Sequence, residues 1–432
     1  MARDRNTRHT PMPPPPGLRD LGPAAAYPIY AVQIRLMRIM ERHGYERVMT
    51  PSFDDVMALA PTDEPAQGLF RFADPATGRI VALRNDITPQ VARLVATRLP
   101  PEDAPFRLCY SARVYRQRSR FGIAPRELIQ AGAELIGASG LEADLEILEL
   151  AARCAESLEL GGRITFSLGH SMVLTELLSV VADHCGAATA IEVAHACQRR
   201  AVPRVQNLLV GHADLSRAFV TVLLGHTEEA SSAVGVVSET AALALAELEA
   251  LGRAATRRMP DVKWTLDMAA DRGFAYYTGF SFMGLIDGPG RPLVSGGRYD
   301  DLVGRFGGEM DAAGFMFDEQ AVLDALSRDG WSEKPPERDL LIVDRHGQDD
   351  RTCSLVNRLR EGDNRPRIVV RSLASYRWLE LEPDELVTRM RQRRFRRLVF
   401  VDRDGYELID ASSTRWLFQD ADALIEHFQR EP

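Results

Sequence analysis

The feature that most constrains the fold is a succession of β-strand patterns, between residues 69 and 136, whose connections are short. Residues 69–84 contain two strand-like halves around an Asp-Pro…Gly turn, and the strand patterns Phe106–Arg116 and Glu127–Ile136 flank one polar loop. Strands joined by a tight turn or a short loop pair antiparallel, whereas parallel neighbours need a long crossover. The sequence therefore predicts an α+β fold in which an antiparallel sheet is flanked by helices.

Helical patterns surround these strands. Apolar residues recur at helix spacing over 29–40, and again over Pro89–Leu99 and 141–158. Residues 170–258 are rich in alanine, leucine and valine at the same spacing, which predicts a helical insertion. Further strand patterns are Ile164–Leu168, Trp264–Leu266, Phe274–Ile286 and Gly314–Phe317.

The chain is predicted to divide into a tail and two domains, because its 432 residues exceed what one hydrophobic core supports. Residues 1–16 are rich in proline and charge, and we expect a disordered tail. Residues 17–332 hold the sheet and the insertion, and Pro335 and Pro336 mark a boundary. Residues 337–432 alternate between strand and helix, which predicts a small α/β domain. Its strands are Leu340–Asp344, Ile368–Arg371 and Leu398–Asp402, and its helices are Arg351–Arg360 and Glu382–Arg393.

The composition is that of an ordinary globular protein, with 45% hydrophobic and 26% charged residues. No apolar run reaches the roughly 18–20 residues that a membrane span needs. The N-terminal residues lack the apolar stretch of a signal peptide. We therefore expect a cytoplasmic protein with no membrane partner.

Cysteine and histidine usage argues against disulfides and metal sites. The five cysteines are an odd number and contain no C-x-x-C pair, and the nine histidines are scattered without an H-E-x-x-H arrangement. We expect no structural zinc, no catalytic metal and no cofactor.

The formal net charge of −8 argues against a protein that coats nucleic acid. A local exception is a cluster of six arginines within nine residues, which is either a grip for RNA phosphates or the solvated end of a helix before a strand. The second interpretation is favoured because no aromatic stacking residues are interleaved with the arginines. The cluster consists of Arg389, Arg391, Arg393, Arg394, Arg396 and Arg397.

The usual phosphate-binding signatures are missing. The chain has no G-x-x-x-x-G-K-[ST] loop and only two lysines, Lys263 and Lys334. Gly296-Gly297-Arg298 is compatible with an anion-binding turn, and it is equally good chemistry for an ordinary turn.

Two polar pairs instead suggest a pocket for a small zwitterion. Asp86 and Thr88 lie two residues apart at the end of a predicted strand, so that both can face one side. Gln130 and Glu134 lie four apart on a predicted strand, within the apolar string LIQAGAELIG. Burying a carboxylate there is costly unless it has a partner. Its partner is either a ligand or one of the many arginines.

A third segment, RGFAYYTG at 272–279, adds a cation in Arg272 and phenols in Tyr276 and Tyr277. The tyrosines either line the pocket or are ordinary half-buried strand residues.

Three strings carry a family resemblance when they are taken in their order along the chain. They are LRNDITPQVARLVATRL (83–99), RLCYSARVYR (107–116) and RELIQAGAELIG (126–137). Together they resemble the class II aminoacyl-tRNA synthetase fold, and specifically its histidyl branch, over about residues 16–325. They are more similar still to the regulatory subunits of ATP phosphoribosyltransferase, which are paralogues of that synthetase. The resemblance implies a class II synthetase-like sheet flanked by helices, with the helical insertion and a small C-terminal domain.

The resemblance also implies a histidine-binding pocket, whose residues carry over by position. Asp86 and Thr88 would meet the α-amino group of the ligand, and Gln130 would bridge its amino and carboxylate ends. Glu134 would accept a hydrogen bond from one imidazole nitrogen, and Tyr277 would meet the other nitrogen.

Two arginines complete the implied pocket. Arg272 matches the arginine of the synthetase string RGLDYY, which is RGFAYY here and includes Tyr276, and it would face the ligand carboxylate. Arginine and carboxylate form the strong, directional hydrogen bonds that such a site would use. Arg116 matches the first arginine of the synthetase's ATP-binding strand.

Two departures from the synthetase pattern imply that the chain does not catalyse adenylation and is not an enzyme. Where the synthetase reads FRxERPQ, Arg118 replaces an acidic residue that helps to hold ATP. Where the synthetase reads GFAIGIERL, the arginine that neutralises the phosphates is replaced by Ala321, with Asp318 nearby. Charge developing on the α-phosphate would therefore be poorly stabilised.

The resemblance implies a non-catalytic regulatory subunit. Such a subunit binds a short-form catalytic subunit of ATP phosphoribosyltransferase, is needed for the first step of L-histidine biosynthesis, and transmits feedback inhibition by histidine. By linkage, the partner must change histidine affinity by the same factor as histidine changes the complex. A hetero-oligomer with self-association of this chain is also implied.

Two alternatives stay open from the sequence. One is a divergent histidyl-tRNA synthetase that uses residues 337–432 and the arginine cluster for tRNA. The other is a free-standing amino-acid-binding module. Residues 337–432 occupy the position of the synthetase's anticodon-binding domain, so they are either a degenerate remnant of it or a module for docking a partner.

Overall fold

The computed structural model describes residues 12–59, 68–117, 125–225, 227–269, 276–287, 291–328, 330–331, 333–335, 338–344, 349–361, 369–371 and 383–430. The chain forms two compact units, Met1–Glu333 and Lys334–Pro432. Several sequence predictions fall outside the described residues: Arg118, Arg272, Phe274, Pro336 and the first eleven residues of the proposed tail.

The first unit contains eleven strands and twelve α-helices among its described residues. The strands are β1 (Glu46–Arg47), β2 (Phe53–Asp55), β3 (Arg71–Ala73), β4 (Ile80–Leu83), β5 (Phe106–Tyr115), β6 (Glu127–Ile136), β7 (Ile164–His170), β8 (Lys263–Leu266), β9 (Phe280–Ile286), β10 (Val294–Arg298) and β11 (Ala312–Asp318). The helices are α1 (Pro23–Arg42), α2 (Val56–Leu59), α3 (Thr88–Arg98), α4 (Gly140–Ser157), α5 (Ser171–Cys185), α6 (Ala187–Gln198), α7 (Val202–Leu208), α8 (Ala213–Leu224), α9 (Thr227–Val237), α10 (Glu239–Arg258), α11 (Asp301–Gly304) and α12 (Glu319–Arg328).

The main sheet has eight strands in the order β1-β5-β6-β11-β10-β9-β7-β8. Its six central strands pair antiparallel. The short loop predicts this pairing for β5 and β6, whereas β6–β11 and β7–β9 pair across long stretches of the chain. The two edge strands differ, because β1 is parallel to β5 and β8 is parallel to β7. Both of these pairs are joined through helices, which supply the crossover that a parallel connection requires. Strands β2, β4 and β3 form a separate antiparallel sheet.

The two faces of the main sheet pack against different helices, because successive side chains of a strand alternate between faces. Cys109 of β5 and Leu135 of β6 belong to the core that includes α1, α4 and α10. Leu108 and Tyr110 of β5 belong instead to a second core with α3. We call the side that carries Tyr110, Gln130 and Glu134 the α3 face.

The helical insertion predicted over 170–258 consists of helices α5 to α10. Its apolar residues share the core of the main sheet, with Leu177, Phe219 and Leu248 fully buried. None of the helices in the described ranges combines the length and the hydropathy that crossing a membrane requires.

The second unit is a small α/β unit, with five strands among its described residues in the order β13-β12-β14-β15-β16. Helices α13 and α15 pack on one side of the sheet and α14 on the other. The hairpin strands β15 and β16 and helix α15 are not anticipated from the sequence, although Asp404-Gly405 is a good turn signal. The arginine cluster spans the end of α14 and the start of β14. The strands are β12 (Arg338–Asp344), β13 (Val369–Arg371), β14 (Phe395–Val401), β15 (Tyr406–Asp410) and β16 (Arg415–Phe418), and the helices are α13 (Asp349–Glu361), α14 (Pro383–Gln392) and α15 (Ala421–Arg430).

The segment Gly296-Gly297-Arg298 is not a turn, because it lies within the buried strand β10. A Cβ atom on Gly297 would lie 2.5 Å from the carbonyl oxygen of Phe280 and 2.9 Å from the ring of Tyr277. The glycine is therefore needed for close packing rather than for turn geometry. The guanidinium of Arg298 is already paired with Asp144 and Asp300, so it is not available to an anion.

The strand predicted over Phe274–Ile286 is shorter in the structure, since β9 begins at Phe280. Tyr276 and Tyr277 precede the strand, and the backbone N–H of Thr278 donates to the carbonyl of Arg298. The two tyrosines are thus loop residues, and the half-buried-strand interpretation of them is wrong.

Candidate functional site

Asp86 and Thr88 stand at the entrance to α3 rather than on a strand. Strand β4 ends at Leu83, and Thr88 is the first residue of α3, so the predicted strand geometry for this pair is wrong. The Asp86 carboxylate accepts from the backbone N–H of Ile87 at 2.7 Å and from the hydroxyl of Tyr276 at 2.8 Å. Local turn geometry, not strand alternation, therefore brings both side chains to the α3 face.

Glu134 is at the centre of the site and is 1% exposed. Its Oε1 accepts hydrogen bonds from Thr88 Oγ1 at 2.7 Å and from the Tyr110 hydroxyl at 3.0 Å. Its Oε2 accepts from the hydroxyl of Tyr299. The described part of the chain contributes hydroxyl donors and no arginine, which argues against a structural ion pair. Burial raises the pKa of Glu134 from its ordinary 4.5 to about 8, although the three hydroxyls lower it.

Gln130 lies on the same face of β6 as Glu134, as the four-residue spacing predicts. Its side chain is 1% exposed, and its Oε1 has no hydrogen-bond partner among the residues that the structure describes. The hydroxyl of Ser281 on β9 is also buried and unpartnered within those ranges. A buried acceptor without a partner costs free energy, so these atoms are candidates for contact with a ligand.

A row of residues across the sheet connects these groups. Glu134 pairs with Gly314 on β11, Gly314 with Gly297 on β10, and Gly297 with Ser281 on β9. The two glycines leave the middle of the row without side chains. The carboxylate of Glu134 leans into the space over Gly314, and the ring of Tyr277 covers Gly297.

Three tyrosine rings form one wall of the site. The rings of Tyr276 and Tyr277 meet edge to face at 5.2 Å, and the rings of Tyr276 and Tyr299 do so at 5.9 Å. Edge-to-face contacts fix ring orientation and add to the stabilisation from burial. The wall therefore has defined phenol positions around the carboxylates of Asp86 and Glu134.

Tyr110, Tyr299 and Ser281 belong to the site but are absent from the sequence-based set. Tyr110 lies inside the string RLCYSARVYR, where its alternation with Leu108 on β5 is the signal that places it on the α3 face. Tyr299 follows the Gly-Gly-Arg segment, whose misassignment as a turn concealed it. Ser281 carries no sequence signal of its own.

Arg116 lies beside the site, where its Nε donates to the backbone carbonyl of Asn85 at 3.2 Å. This contact holds the guanidinium next to the loop that carries Asp86. No contact is described for Arg272, which lies outside the described residues.

A buried ion-pair cluster supports the site from the opposite face of the sheet. Arg298 is 8% exposed and pairs with Asp144 of α4 and with Asp300. Asp300 in turn accepts from the hydroxyl of Thr278, and its own N–H donates to that hydroxyl oxygen. The cluster thus anchors Tyr299 and the segment that carries Tyr276 and Tyr277.

The position of the missing synthetase arginine is apolar in the structure. Ala321 is buried in the first turn of α12, and its N–H donates to Asp318 Oδ1 at 3.0 Å. Asp318 also pairs with Arg291 at 2.9 Å. Within the described ranges, no group of three or more His, Cys, Asp or Glu side chains is arranged to hold a metal ion.

This arrangement suits recognition of a small polar molecule. It presents carboxyl and amide oxygens as acceptors, phenols as donors, and a tyrosine wall against which a flat ring can pack.

Comparisons with known proteins agree with the fold. The family model described as Histidyl-tRNA synthetase matches residues 17–322. The ATP phosphoribosyltransferase regulatory subunit of Geobacter sulfurreducens is 33% identical over 352 residues, which cover 79% of each chain. The subunit of the same name from Anaeromyxobacter dehalogenans is 36% identical over 334 residues, covering 73% of this chain and 91% of the relative.

A solved structure from Bacillus halodurans shows the same fold. It is described as an ATP phosphoribosyltransferase regulatory subunit/histidyl-tRNA synthetase, and it matches with a TM-score of 0.72 at 22% identity over 93% of this chain and 99% of its own. The fold and the family match define a protein of the histidyl-tRNA synthetase class. Within that class, the chain belongs to the family of ATP phosphoribosyltransferase regulatory subunits.

The raised pKa of Glu134 predicts a pH-dependent stability. Between about pH 5 and pH 8 the unfolded chain loses this proton while the folded chain keeps it, so the free energy of unfolding falls as pH rises. Glu134→Gln removes this dependence. When the pH is raised from 5 to 8, the free energy of unfolding of the variant should increase by about 2–4 kcal/mol relative to that of the wild type, as measured by urea unfolding.

Glu319 provides the matched control for this prediction. Its carboxyl is 0% exposed, accepts from Ser111 at 3.0 Å on the opposite face of the sheet, and has its pKa raised to about 8 by burial. Glu319→Gln should show a similar gain in stability without touching the α3 face. A stability difference between Glu134→Gln and the wild type that is constant over pH would contradict the assignment.

Proposed function

We propose that the chain is a non-catalytic regulatory subunit that binds L-histidine on the α3 face and confers histidine feedback on a catalytic subunit of ATP phosphoribosyltransferase. The observation that carries the proposal is the fully buried Glu134 carboxyl, which three hydroxyls hold. It shares its face of the sheet with the amide oxygen of Gln130, which has no partner among the described residues. Similarity to regulatory subunits over about three-quarters of the chain supports it.

The proposed ligand pose is the one that the family resemblance implies, and the chemistry of these groups supports it. The ammonium group of histidine meets the carboxylate of Asp86 and the amide oxygen of Gln130, which supplies that oxygen with its missing donor. The Thr88 hydroxyl donates a hydrogen bond to Glu134, and its oxygen can still accept one from the ammonium group. The imidazole lies between Glu134 and Tyr277, and the ligand carboxylate lies on the side of Arg116. By the resemblance, Arg272 would also meet this carboxylate.

The same geometry supports a protein that does not activate histidine. Adenylation requires cationic groups around the α-phosphate as charge develops there. Ala321 provides no cation, and Asp318 is engaged with Arg291 and the first turn of α12. We therefore propose that histidine is a signal for this protein and not a substrate.

We propose a short-form catalytic subunit as the partner, together with self-association of this chain. Large apolar side chains are exposed on and beside the small sheet, with Met49 96%, Met57 78% and Ile80 55% exposed. Exposed apolar side chains of this kind are unfavourable in water, and we propose that a second copy of the chain covers them. Sedimentation of the chain alone, and then with the catalytic subunit, is the direct test.

The decisive assay is phosphoribosyl-ATP formation by a short-form catalytic subunit, with and without this protein, while histidine is titrated. We expect activity to depend on the protein and to fall as histidine rises. Glu134→Gln should preserve the activation and raise the half-inhibitory histidine concentration at least about tenfold. The reason is that it replaces the buried carboxyl that accepts from the imidazole with a neutral amide. Isothermal titration of histidine should show the same loss of affinity.

Glu127→Gln is the matched control, since Glu127 lies on the same strand but faces the other side of the sheet and pairs with Arg113. With this variant, histidine should inhibit phosphoribosyl-ATP formation at the same concentration as with the wild type. If the protein changes nothing at any ratio, the regulatory proposal fails. Histidine-dependent ATP–pyrophosphate exchange would then indicate a divergent synthetase, and histidine binding without either activity would indicate a free-standing amino-acid-binding module.

A further inference from the structure

A long groove lies at the β8 edge of the main sheet, far along the sheet from Glu134. Its volume is about 1110 Å³, and it runs between helix α10 on one side and β8 on the other, with Leu141 of α4 at its rim. Trp264 and Leu266 of β8 form its floor. The helix packs closely here, because a Cβ atom on Gly252 would lie 2.9 Å from the Leu266 side chain.

The backbone of β8 is open toward this groove. The N–H of Asp267 donates to Leu168 on β7, so the backbone groups of Thr265 and Lys263 also face β7. The alternating residues Trp264 and Leu266 therefore direct their N–H and C=O groups outward. No described residue hydrogen-bonds to these outward N–H groups. An open strand edge of this kind is a template for another strand.

The helical wall of the groove carries two arginines and one glutamate, Glu249. Arg253 and Arg257 lie one turn apart on α10, and both line the groove. Arg253 has only a 3.5 Å contact with Glu249, and Arg257 forms no ion pair with any residue that the structure describes. Lys263, at the start of β8, is also exposed. Among the described residues, the groove thus combines one weakly paired arginine and one arginine without an ion pair with backbone groups that have no partner.

We propose that this groove binds an extended acidic segment of a partner protein, which adds to β8 as a further strand of the sheet. Side chains four apart on a helix lie about 5–6 Å apart, and alternate side chains of a strand lie about 6.6 Å apart. Two alternating carboxylates of an added strand therefore match Arg253 and Arg257. The four residues of β8 give room for two backbone pairs, which is enough to set the register of a short segment.

A protein segment fits the groove better than a nucleic acid does. The open N–H and C=O groups of Trp264 and Leu266 are complementary to another backbone, whereas phosphates would use only the arginines. Strand addition takes its affinity from main-chain hydrogen bonds and its selectivity from alternate side chains. Both kinds of contact are present on the two walls of the groove.

The test uses the full-length protein and a fluorescein-labelled peptide, Glu-Val-Glu-Val-Glu-Val, followed by fluorescence anisotropy. We expect saturable binding that weakens at least about tenfold in Arg257→Glu, because a like charge then faces the peptide. Arg98→Glu is the matched control, since Arg98 is an exposed arginine at the end of α3. It should bind the peptide like the wild type.

Two further peptides separate strand addition from simple charge attraction. N-methylation of alternate residues removes the N–H donors from one edge of the peptide. One peptide is methylated on its glutamates and the other on its valines. One of these two peptides should fail to bind, and the other should bind like the parent. The amides of Trp264 and Leu266 should become protected from hydrogen exchange when the peptide is bound. The proposal is overturned if the acidic peptide does not bind, if a Lys-Val repeat binds equally well, or if both methylated peptides bind like the parent.

Discussion

Replacing Gly314 with alanine is expected to abolish binding at the proposed histidine site, with a loss of at least about a hundredfold in affinity. The added Cβ would collide with the carboxylate of Glu134 and lie 2.7 Å from the backbone oxygen of Ala133. Glu134 cannot move aside freely, because three hydroxyls hold it. Isothermal titration with histidine measures the loss, and urea unfolding should show a cost of about 1–3 kcal/mol.

Gly304→Ala is the control, since a Cβ there meets nothing within 4 Å. It should bind histidine like the wild type and unfold at the same or a slightly higher urea concentration. In a Glu134→Ala background, Gly314→Ala should cost clearly less stability, because one of the two colliding groups is gone. Unchanged histidine affinity in Gly314→Ala would show that the ligand does not depend on this position of Glu134.

Replacing Arg298 with methionine is expected to destabilise the first unit by about 3–5 kcal/mol, because it leaves the carboxyl of Asp144 buried without its cation. Burial already raises the pKa of Asp144 to about 6, and Arg298 is the group that lowers it. Without the guanidinium this pKa rises further. The loss of stability should therefore be larger at pH 8 than at pH 5, as measured by urea unfolding at both pH values.

A second substitution tests whether the loss comes from the unpaired charge. Arg298→Met combined with Asp144→Leu should recover much of the stability, since an apolar pair often replaces a buried ion pair at little cost. Arg305→Met, at an exposed arginine, should change the free energy of unfolding by less than about 0.5 kcal/mol. A cost for Arg298→Met that does not vary with pH would contradict the electrostatic explanation.

Much of the architecture can be predicted from the sequence, because local periodicity in apolar residues determines it. The ten-residue strands β5 and β6 alternate between two packed faces, and the same alternation places Gln130 and Glu134 together. The insertion α5–α10 follows from helical spacing alone. These features depend on residues near one another in the chain, so a single sequence is enough to predict them.

The parts that the sequence misses depend on long-range contact. Gly297 resembles a turn glycine, and only the approach of Phe280 and Tyr277 explains why it lies inside a strand. Asp86 and Thr88 reach the right face for a reason different from the predicted one, since the entrance to a helix positions them. The role of Tyr299 could not be predicted either, because its partner Glu134 is far away along the chain.

The carboxyl of Glu134 is bonded to residues that lie 46, 24 and 165 positions away along the chain. Such contacts have high sequence separation, and they form only when the distant parts of the first unit have docked. The proposed histidine site therefore exists only after these parts of the first unit have folded together. A chain that has not yet folded as far as Tyr299 would lack the assembled carboxyl site, so we expect it not to respond to histidine.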